Sequence, residues 1–128
     1  MSLPKRILIV EDDRVLRRAC EAGLRKRGYE VVTADNGVDG LELAVAQEFD
    51  IVLLDMLMPR MSGLDMLREL RRRAPGQLAP VLVLSNSSRT SDRQEVAALG
   101  VAGYMVKACL SLESLAMKVA ELTSGGPS

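Results

Sequence analysis

The sequence predicts a single α/β domain built on a five-stranded parallel sheet with helices on both faces. Short apolar runs without a polar break, such as residues 51–54, are typical of strands that are covered on both faces. Segments with helical apolar spacing alternate with these runs along the 128 residues. Hydrophobic residues make up 48% of the chain but aromatic residues only 2%, so the predicted core is aliphatic.

The composition also limits the kinds of molecule that the chain is expected to bind. Seventeen basic residues balance seventeen acidic ones, which argues against direct binding of nucleic acid. No apolar run approaches the roughly 20 residues that span a bilayer, so no membrane partner is expected. Cys20 and Cys109 lack metal-ligand spacing, and reduced thiols are consistent with the cytoplasm. The predicted domain covers residues 5–123, with 1–4 and 124–128 as terminal or linker residues.

The first two strand–helix units occupy the N-terminal third of the chain. Residues 5–10 form an apolar strand, and a helix follows at about 14–27, ended by Gly28. A Val-rich strand at 30–34 leads through a turn into a helix at about 37–48. Four positions at helical spacing on this second helix are expected to be buried: Val38, Leu41, Ala44 and Val45.

The third unit begins with the strand at 51–54, which is followed by Asp55. Pro59 and Gly63 mark a loop after this strand. Ser62 is a good N-cap for the next helix, which is expected to end before Pro75. Asp55 therefore lies at the carboxyl end of a buried strand, where ligands bind in open α/β sheets.

The last two units complete the alternation. A strand at 80–84 precedes a polar loop at 85–91 and a helix at about 91–99, and a strand at 101–106 precedes a helix at about 111–122. On the last helix, five residues are expected to face the core: Leu112, Leu115, Ala116, Val119 and Leu122. Five strands joined by right-handed crossovers predict a doubly wound, flavodoxin-like sheet with the order 2-1-3-4-5.

In that order the first and third strands are neighbours, so Glu11, Asp12 and Asp55 meet at one edge of the sheet. Two carboxylates about 4 Å apart repel by about 4 kcal/mol at an effective dielectric constant near 20. Either their pKa values rise or a cation relieves the repulsion. An all-oxygen set of this kind suits Mg²⁺ or Mn²⁺. The alternative is that these residues only cap strand and helix ends and bind no metal.

Two further strand ends add polar groups to the same edge. Ser85 follows the fourth strand and Lys107 follows the fifth. A hydroxyl and an ammonium beside a metal–carboxylate cluster suit a phosphoryl group, for which Asp55 could be the nucleophile. The alternatives are that Ser85 is a turn residue and Lys107 an ordinary surface lysine.

Four motifs together resemble the response-regulator receiver domains of two-component signalling, including the chemotaxis regulators. They are ILIVEDD at 7–13, LLDMLMPRMSG at 53–63, VLVLS at 81–85 and GYMVK at 103–107. The order and spacing of these motifs match the family, and the resemblance covers residues 5 to about 123. It implies a protein that is not an enzyme beyond its own phosphorylation and slow dephosphorylation.

The resemblance implies that Asp55 takes a phosphoryl group from a sensor histidine kinase or a phosphotransfer protein. Asp12 and Asp55 would hold Mg²⁺ together with the backbone carbonyl of Leu57. Glu11 would act on the metal through bound water, and Lys107 would contact the phosphoryl group.

The resemblance also implies a switch. Ser85 and Tyr104 would be the switch pair, with Tyr104 turning inward after phosphorylation. The face formed by the fourth helix, fifth strand and fifth helix would then bind an effector, and it allows a homodimer on activation.

The chain departs from the family pattern after two of the motifs. Asn86 follows Ser85 where a small residue is usual, and Ala108 follows Lys107 where proline is usual. A cis bond before a residue other than proline costs about 2.5–4 kcal/mol, so we expect the Lys107–Ala108 bond to be trans.

Two other classes of function compete with a phosphorylated switch. A receiver-like module that binds proteins independently of phosphorylation is the main alternative. A phosphatase with an aspartyl nucleophile of the haloacid-dehalogenase type needs a second Asp where Leu57 stands, and a flavin carrier needs a phosphate-binding loop after the first strand. The chain lacks both features.

Overall fold

The computed structural model describes residues 3–77, 79–86 and 90–124, with the backbone alone at 90–92. The predicted loop positions 87–89 and the chain ends at 1–2 and 125–128 lie outside the described residues. The strands are β1 (Arg6–Val10), β2 (Glu30–Ala34), β3 (Ile51–Asp55), β4 (Val81–Ser85) and β5 (Gly103–Val106). The helices are α1 (Arg14–Lys26), α2 (Gly37–Ala46), α3 (Gly63–Arg73), α4 (Thr90–Ala97) and α5 (Leu112–Thr123).

The strands form one parallel sheet in the order β2-β1-β3-β4-β5, which confirms the predicted topology. The register places Val10 beside Leu54, Asp55 beside Leu84, and Ser85 beside Val106. The carboxyl ends of the four strands β1, β3, β4 and β5 therefore lie side by side at one edge of the sheet.

Alternation along the strands supplies a core on each face of the sheet. On β1, Leu8 and Val10 pack with the buried side chains of α2, α3 and α4. Ile7 and Ile9 point to the other face, among the buried side chains of α1 and α5. Since β3 and β4 are buried along their whole length, the sheet is covered on both faces, as their unbroken apolar runs predict.

Polar residues set the starts of four helices. The side chains of Asp13, Asn36, Ser62 and Ser111 each accept a hydrogen bond from a backbone N–H in the first turn of the helix that follows. The predicted N-cap at Ser62 is thus confirmed. Such caps satisfy donors that have no partner within the helix.

The structure corrects several predicted boundaries. β3 and β4 each extend one residue further than predicted, because Asp55 and Ser85 still pair with the neighbouring strands. β5 begins at Gly103 rather than 101, since Gly100 has a positive φ of 78° and the chain is still turning after α4. α2 ends at Ala46 rather than 48, and α4 spans Thr90–Ala97 rather than 91–99.

Of the side chains expected in the core, Val45 and Leu112 are exposed, and Val38 and Leu122 are only half-buried. Val45 is 45% exposed, because α2 buries a narrower stripe made of Gly37, Gly40, Leu41 and Ala44. Leu112 is 38% exposed, although its side chain lies against Gly23 of α1, where a Cβ would come within 2.3 Å of it.

The turn after β5 contains the Lys107–Ala108 peptide bond, for which the sequence predicts the trans form. The described peptide bonds are trans, including Lys107–Ala108, so that prediction is confirmed. A short 3₁₀ turn at Lys107–Cys109 carries the chain toward α5. Among the described residues, no helix combines the length and the apolar character that crossing a bilayer requires.

Candidate functional site

The register of the sheet brings two buried carboxylates together. Glu11 directly follows β1 and is 1% exposed, while Asp55 is the last residue of β3 and is 3% exposed. The Glu11 backbone N–H donates to the Ala34 carbonyl at 3.0 Å, which keeps this residue aligned with the sheet edge. Asp12 is exposed at the same edge. The three acids thus meet at this edge, as the sequence predicts, and the structure adds that two of them are held out of water.

Lys107 lies between the two buried carboxylates. Its Nζ is 2.8 Å from Glu11 Oε1 and 2.9 Å from Asp55 Oδ1, and its side chain is only 14% exposed. The contact with Glu11 Oε1 is an ion pair whose geometry does not make a good hydrogen bond. A buried charge is costly unless it is paired, so this lysine is what allows both acids to be buried.

The environment of Asp55 changes its proton affinity. Burial raises the pKa of the Asp55 carboxyl from its ordinary value to about 7. Lys107 acts in the opposite direction, while the neighbouring carboxyls of Asp12 and Glu11 raise the pKa further. A carboxyl with this pKa changes charge near neutral pH, which is common at functional sites.

The two acids beside Lys107 raise the pKa of its ammonium. Burial by itself would lower the pKa of this ammonium, but its close contacts with Glu11 and Asp55 and their negative charges raise it above its ordinary value. Lys107 therefore stays charged at neutral pH. One cation faces three acidic groups, so the site retains an excess of negative charge.

The residues present fit a divalent cation. One carboxylate oxygen from each of Glu11, Asp12 and Asp55 lies within 4.8 Å of the others. Within the part of the chain that the structure describes, Asp55 Oδ2 is buried and has no hydrogen-bond partner, which leaves it able to accept a further ligand. Buried polar atoms without a partner are rare and call for an explanation. An all-oxygen donor set is the kind that Mg²⁺ prefers.

Of the remaining predicted site residues, Ser85 and Leu57 lie beside Asp55, whereas Tyr104 does not. Ser85 is 5% exposed and lines an open cavity of about 240 Å³ together with Asp55, Lys107 and Leu57. The Leu57 N–H donates to Asp55 Oδ1 at 3.4 Å. Tyr104 lies on β5 beside Val83 and packs with the core on the side of α2, α3 and α4. Tyr104 is thus half-buried beneath α4 rather than beside the carboxylates.

Three residues that support the site were not singled out for this role from the sequence. The Asp13 N–H donates to Glu11 Oε2 at 3.0 Å, while its side chain caps α1. Arg17 donates to the Glu11 carbonyl at 2.9 Å. A Cβ on Gly63 would lie 2.1 Å from the Asp55 carbonyl oxygen, so only glycine allows this approach. The capping position of Asp13 is readable from the sequence, but the other two contacts depend on loop geometry.

The comparison with known families agrees with this geometry. Residues 7–120 match the family described as the response regulator receiver domain. The chain belongs to that family. The match covers every candidate site residue, so the receiver domain includes the whole sheet edge just described.

Known proteins similar to this receiver domain occur in several bacteria. It is 40% identical over 114 residues to a probable transcriptional regulatory protein of Picosynechococcus, covering 84% of this chain and 45% of that protein. It resembles the solved receiver domain of the sensor histidine kinase PA1611 from Pseudomonas aeruginosa, with a TM-score of 0.85, 27% identity, and coverage of 95% and 99%. It also resembles the response regulator TrrA of Thermotoga maritima, with a TM-score of 0.79, 32% identity, and coverage of 92% and 98%.

The receiver domain spans about half the length of the relatives it matches by sequence. It covers 45% of the Picosynechococcus protein and 54% of the mycobacterial response regulator MprA. In those proteins a further segment accompanies the part that this chain resembles.

Proposed function

We propose that this receiver domain is a phosphorylation switch in which Asp55 accepts a phosphoryl group. The main support for this proposal comes from the contacts of the two Asp55 carboxylate oxygens. Its Oδ2 is buried and has no hydrogen-bond partner among the described residues, while Lys107 Nζ lies 2.9 Å from its Oδ1. One oxygen is therefore available for attack beside a cation that can neutralise the added charge.

The proposed transfer needs no redox partner. Asp55 Oδ2 attacks the phosphorus of a phosphohistidine, and the new O–P bond forms as the P–N bond breaks. The electron pair of the broken bond stays on the imidazole nitrogen, which then takes a proton from solvent. Lys107 is close enough to contact a phosphoryl oxygen on Asp55, and Ser85 lines the cavity in which that group would lie.

Glu11, Asp12 and Asp55, with the carbonyl of Leu57, would hold Mg²⁺ or Mn²⁺. The similar receiver domain of PA1611 has a magnesium ion coordinated in its active-site cleft. The cation would supply positive charge against a phosphoryl group that brings about −2 to three acidic side chains. Without it, repulsion would oppose the approach of the donor.

The test is phosphorylation by acetyl phosphate with Mg²⁺, followed by intact-mass measurement. The protein should gain one phosphoryl group, and Asp55→Asn should gain none because the nucleophilic oxygen is replaced. Excess chelator should also prevent the gain. Equal labelling of Asp55→Asn would show that Asp55 is not the acceptor, and equal labelling in chelator would remove the metal requirement. No labelling of the unmodified protein would favour a module that binds independently of phosphorylation.

The proposal includes a switch of the surface formed by α4, β5 and α5. Ser85 ends β4 and Tyr104 lies on β5, so a displacement at the phosphorylated edge would reach this surface through two paired strands. A difference of a few kcal/mol in interaction free energy is enough to change which state dominates. Amide exchange with and without beryllofluoride should differ over about residues 85–108. Changes confined to 11–20 and 55–63 would contradict the switch.

The proposed partners follow from the same chemistry. A sensor histidine kinase or a phosphotransfer protein would supply the phosphoryl group, and a downstream effector or a second copy of the domain would bind the switched surface. The balanced charge of the chain favours a protein rather than nucleic acid as the direct partner. The domain would act in the cytoplasm, where Cys20 and Cys109 stay reduced.

A further inference from the structure

Helix α4 buries fewer apolar groups among its described side chains than the neighbouring helix α3 does. Among its described side chains, at 93–97, only Val96 is buried. By contrast, α3 buries Met66, Leu67 and Leu70. Since apolar burial is the main force that holds a helix to a sheet, α4 depends on other contacts for its position.

The first of these contacts comes from α3. Arg71 is half-buried, and its Nε donates to the Leu99 carbonyl at 2.9 Å, while its Nη2 donates to the Gly100 carbonyl at 3.4 Å. These carbonyls lie in the turn that follows α4, whose last residue is Ala97. A guanidinium there also faces the negative end of the helix dipole.

Two further arginines contact α4 or extend from it. Arg68 of α3 forms an ion pair with Glu95 of α4, in which Arg68 Nη2 lies 3.2 Å from Glu95 Oε1. Arg93 of α4 lies over the ring of Tyr104, with its Cζ 4.9 Å from the ring centroid. A guanidinium over an aromatic face is attracted by the ring quadrupole. Arg68 and Arg93 therefore join α4 to α3 on one side and to β5 on the other.

We propose that Arg68, Arg71 and Arg93 form an arginine clamp that holds α4 and Tyr104 in the unphosphorylated arrangement and so sets how readily the domain switches. This rests on the proposed function, because the switch requires Tyr104 to leave its present position. When Tyr104 turns inward, the contact with Arg93 is lost. When α4 shifts relative to α3, the contacts of Arg68 and Arg71 are strained. Each contact thus opposes the transition that phosphorylation drives.

The experiment compares Arg71→Gln with Arg72→Gln. Both variants remove one positive charge from the end of α3, but Arg72 is exposed and its described ion pair is with Glu69 of its own helix. Amide exchange is measured first without any ligand, at the N–H groups of Ala98, Leu99 and Gly100, which donate to carbonyls of α4. These amides should exchange faster in Arg71→Gln and at the unmodified rate in Arg72→Gln.

The second measurement is the apparent affinity for beryllofluoride with Mg²⁺, followed by tyrosine fluorescence in a Tyr29→Phe background. Tyr104 is then the only strong fluorophore, since the chain has no tryptophan. Arg71→Gln should bind beryllofluoride about three- to tenfold more tightly than Arg72→Gln, because the release of α4 then opposes binding less. Arg93→Gln should shift the affinity in the same direction, and Arg93→Lys should shift it less because a cation remains over the ring.

The outcomes separate this proposal from the proposed function. Equal exchange at 98–100 in the two variants would overturn the clamp. Faster exchange in Arg71→Gln with unchanged or weaker beryllofluoride affinity would also overturn it, since Arg71 would then only support the fold. A failure of the unmodified protein to bind beryllofluoride would overturn the proposed function, and with it any role of the arginines in switching.

Discussion

At the scale of single residues, the site is a balance between burial and charge. Asp55 and Glu11 are removed from water, and Lys107 offsets only part of the cost. The remaining cost appears as a pKa of about 7 for Asp55. The domain therefore holds Asp55 where its charged form is costly, so the stability of the fold depends on pH.

A raised pKa in the folded state means that folded Asp55 binds a proton more tightly than unfolded Asp55 does. Between the ordinary pKa of an aspartate and about 7, the folded state therefore binds more protons, and its stability falls as pH rises. Asp55→Asn removes this titration. In chelator, the variant should be more stable than the unmodified protein, and its advantage should be larger at pH 8 than at pH 5 by about 2 kcal/mol.

Urea unfolding at the two pH values measures this difference. Glu42→Gln is a suitable control, because Glu42 is exposed on α2 and is not part of the acidic cluster. An advantage of Asp55→Asn that is the same at pH 5 and pH 8 would show that burial does not perturb the Asp55 carboxyl in this way.

At the scale of secondary-structure elements, the site depends on how closely α3 returns to the end of β3. The Gly63 N–H donates to the Met56 carbonyl at 3.0 Å, and the glycine leaves no room for a side chain against Asp55. This approach holds the loop at 56–62 over the edge of the sheet. Arg60, within that loop, has a positive φ of 69°, so the loop is turned tightly.

Gly63→Ala should disturb both stability and phosphorylation. The added Cβ would lie 2.1 Å from the Asp55 carbonyl oxygen, which is backbone and cannot move aside alone. We expect a loss of about 2 kcal/mol in the free energy of unfolding and slower labelling by acetyl phosphate. Gly76→Ala is the matched control, because a Cβ at Gly76 meets no atom within 4 Å. If the two variants unfold at the same urea concentration, the close approach at Gly63 is not required.

At the scale of the whole molecule, the two ends of the sheet serve different purposes. The carboxyl ends of the strands carry the acidic site, while the other end carries Arg6, the first residue of β1. Arg6 pairs with Glu30 and donates at 2.7 Å to the Glu48 carbonyl and, separately, to Gln47 Oε1. Its guanidinium also lies 4.9 Å from the ring centroid of Phe49. This end joins β1, β2 and the turn before β3.

Arg6→Met should therefore weaken the fold without changing the chemistry at Asp55. Loss of the hydrogen bonds, in a side chain that is one-third exposed, should lower the free energy of unfolding by about 1–3 kcal/mol. The initial rate of labelling by acetyl phosphate should stay within about twofold at a temperature where the variant is folded, since Lys107, Glu11 and Asp55 keep their contacts. Lys5→Met removes an adjacent charge and should change neither quantity. A large fall in the labelling rate of Arg6→Met would show that the two ends are coupled.

Much of the fold was predictable because local patterns determine it. The apolar runs of β3 and β4 indicate strands buried on both faces, and Ser62 and Gly28 mark a helix start and a helix end. The exposure of Val45 and Leu112 was predicted wrongly, since the periodicity of a helix does not tell how wide a stripe its neighbours cover. The late start of β5 was also missed, because 101 and 102 are apolar or small but still lie in the turn.

The sequence by itself determined the alternation of strands and helices, the order of the sheet, and the identity of the acids, the lysine and the serine at its edge. These follow from period, length and the rules of parallel crossovers, which are local or topological. Only the tertiary structure decided that Lys107 bridges Glu11 and Asp55, that Gly63 touches the Asp55 carbonyl, and that Arg71 of α3 donates to the carbonyls after α4. Such contacts join residues far apart in the chain, and their distances depend on how the loops close over the sheet.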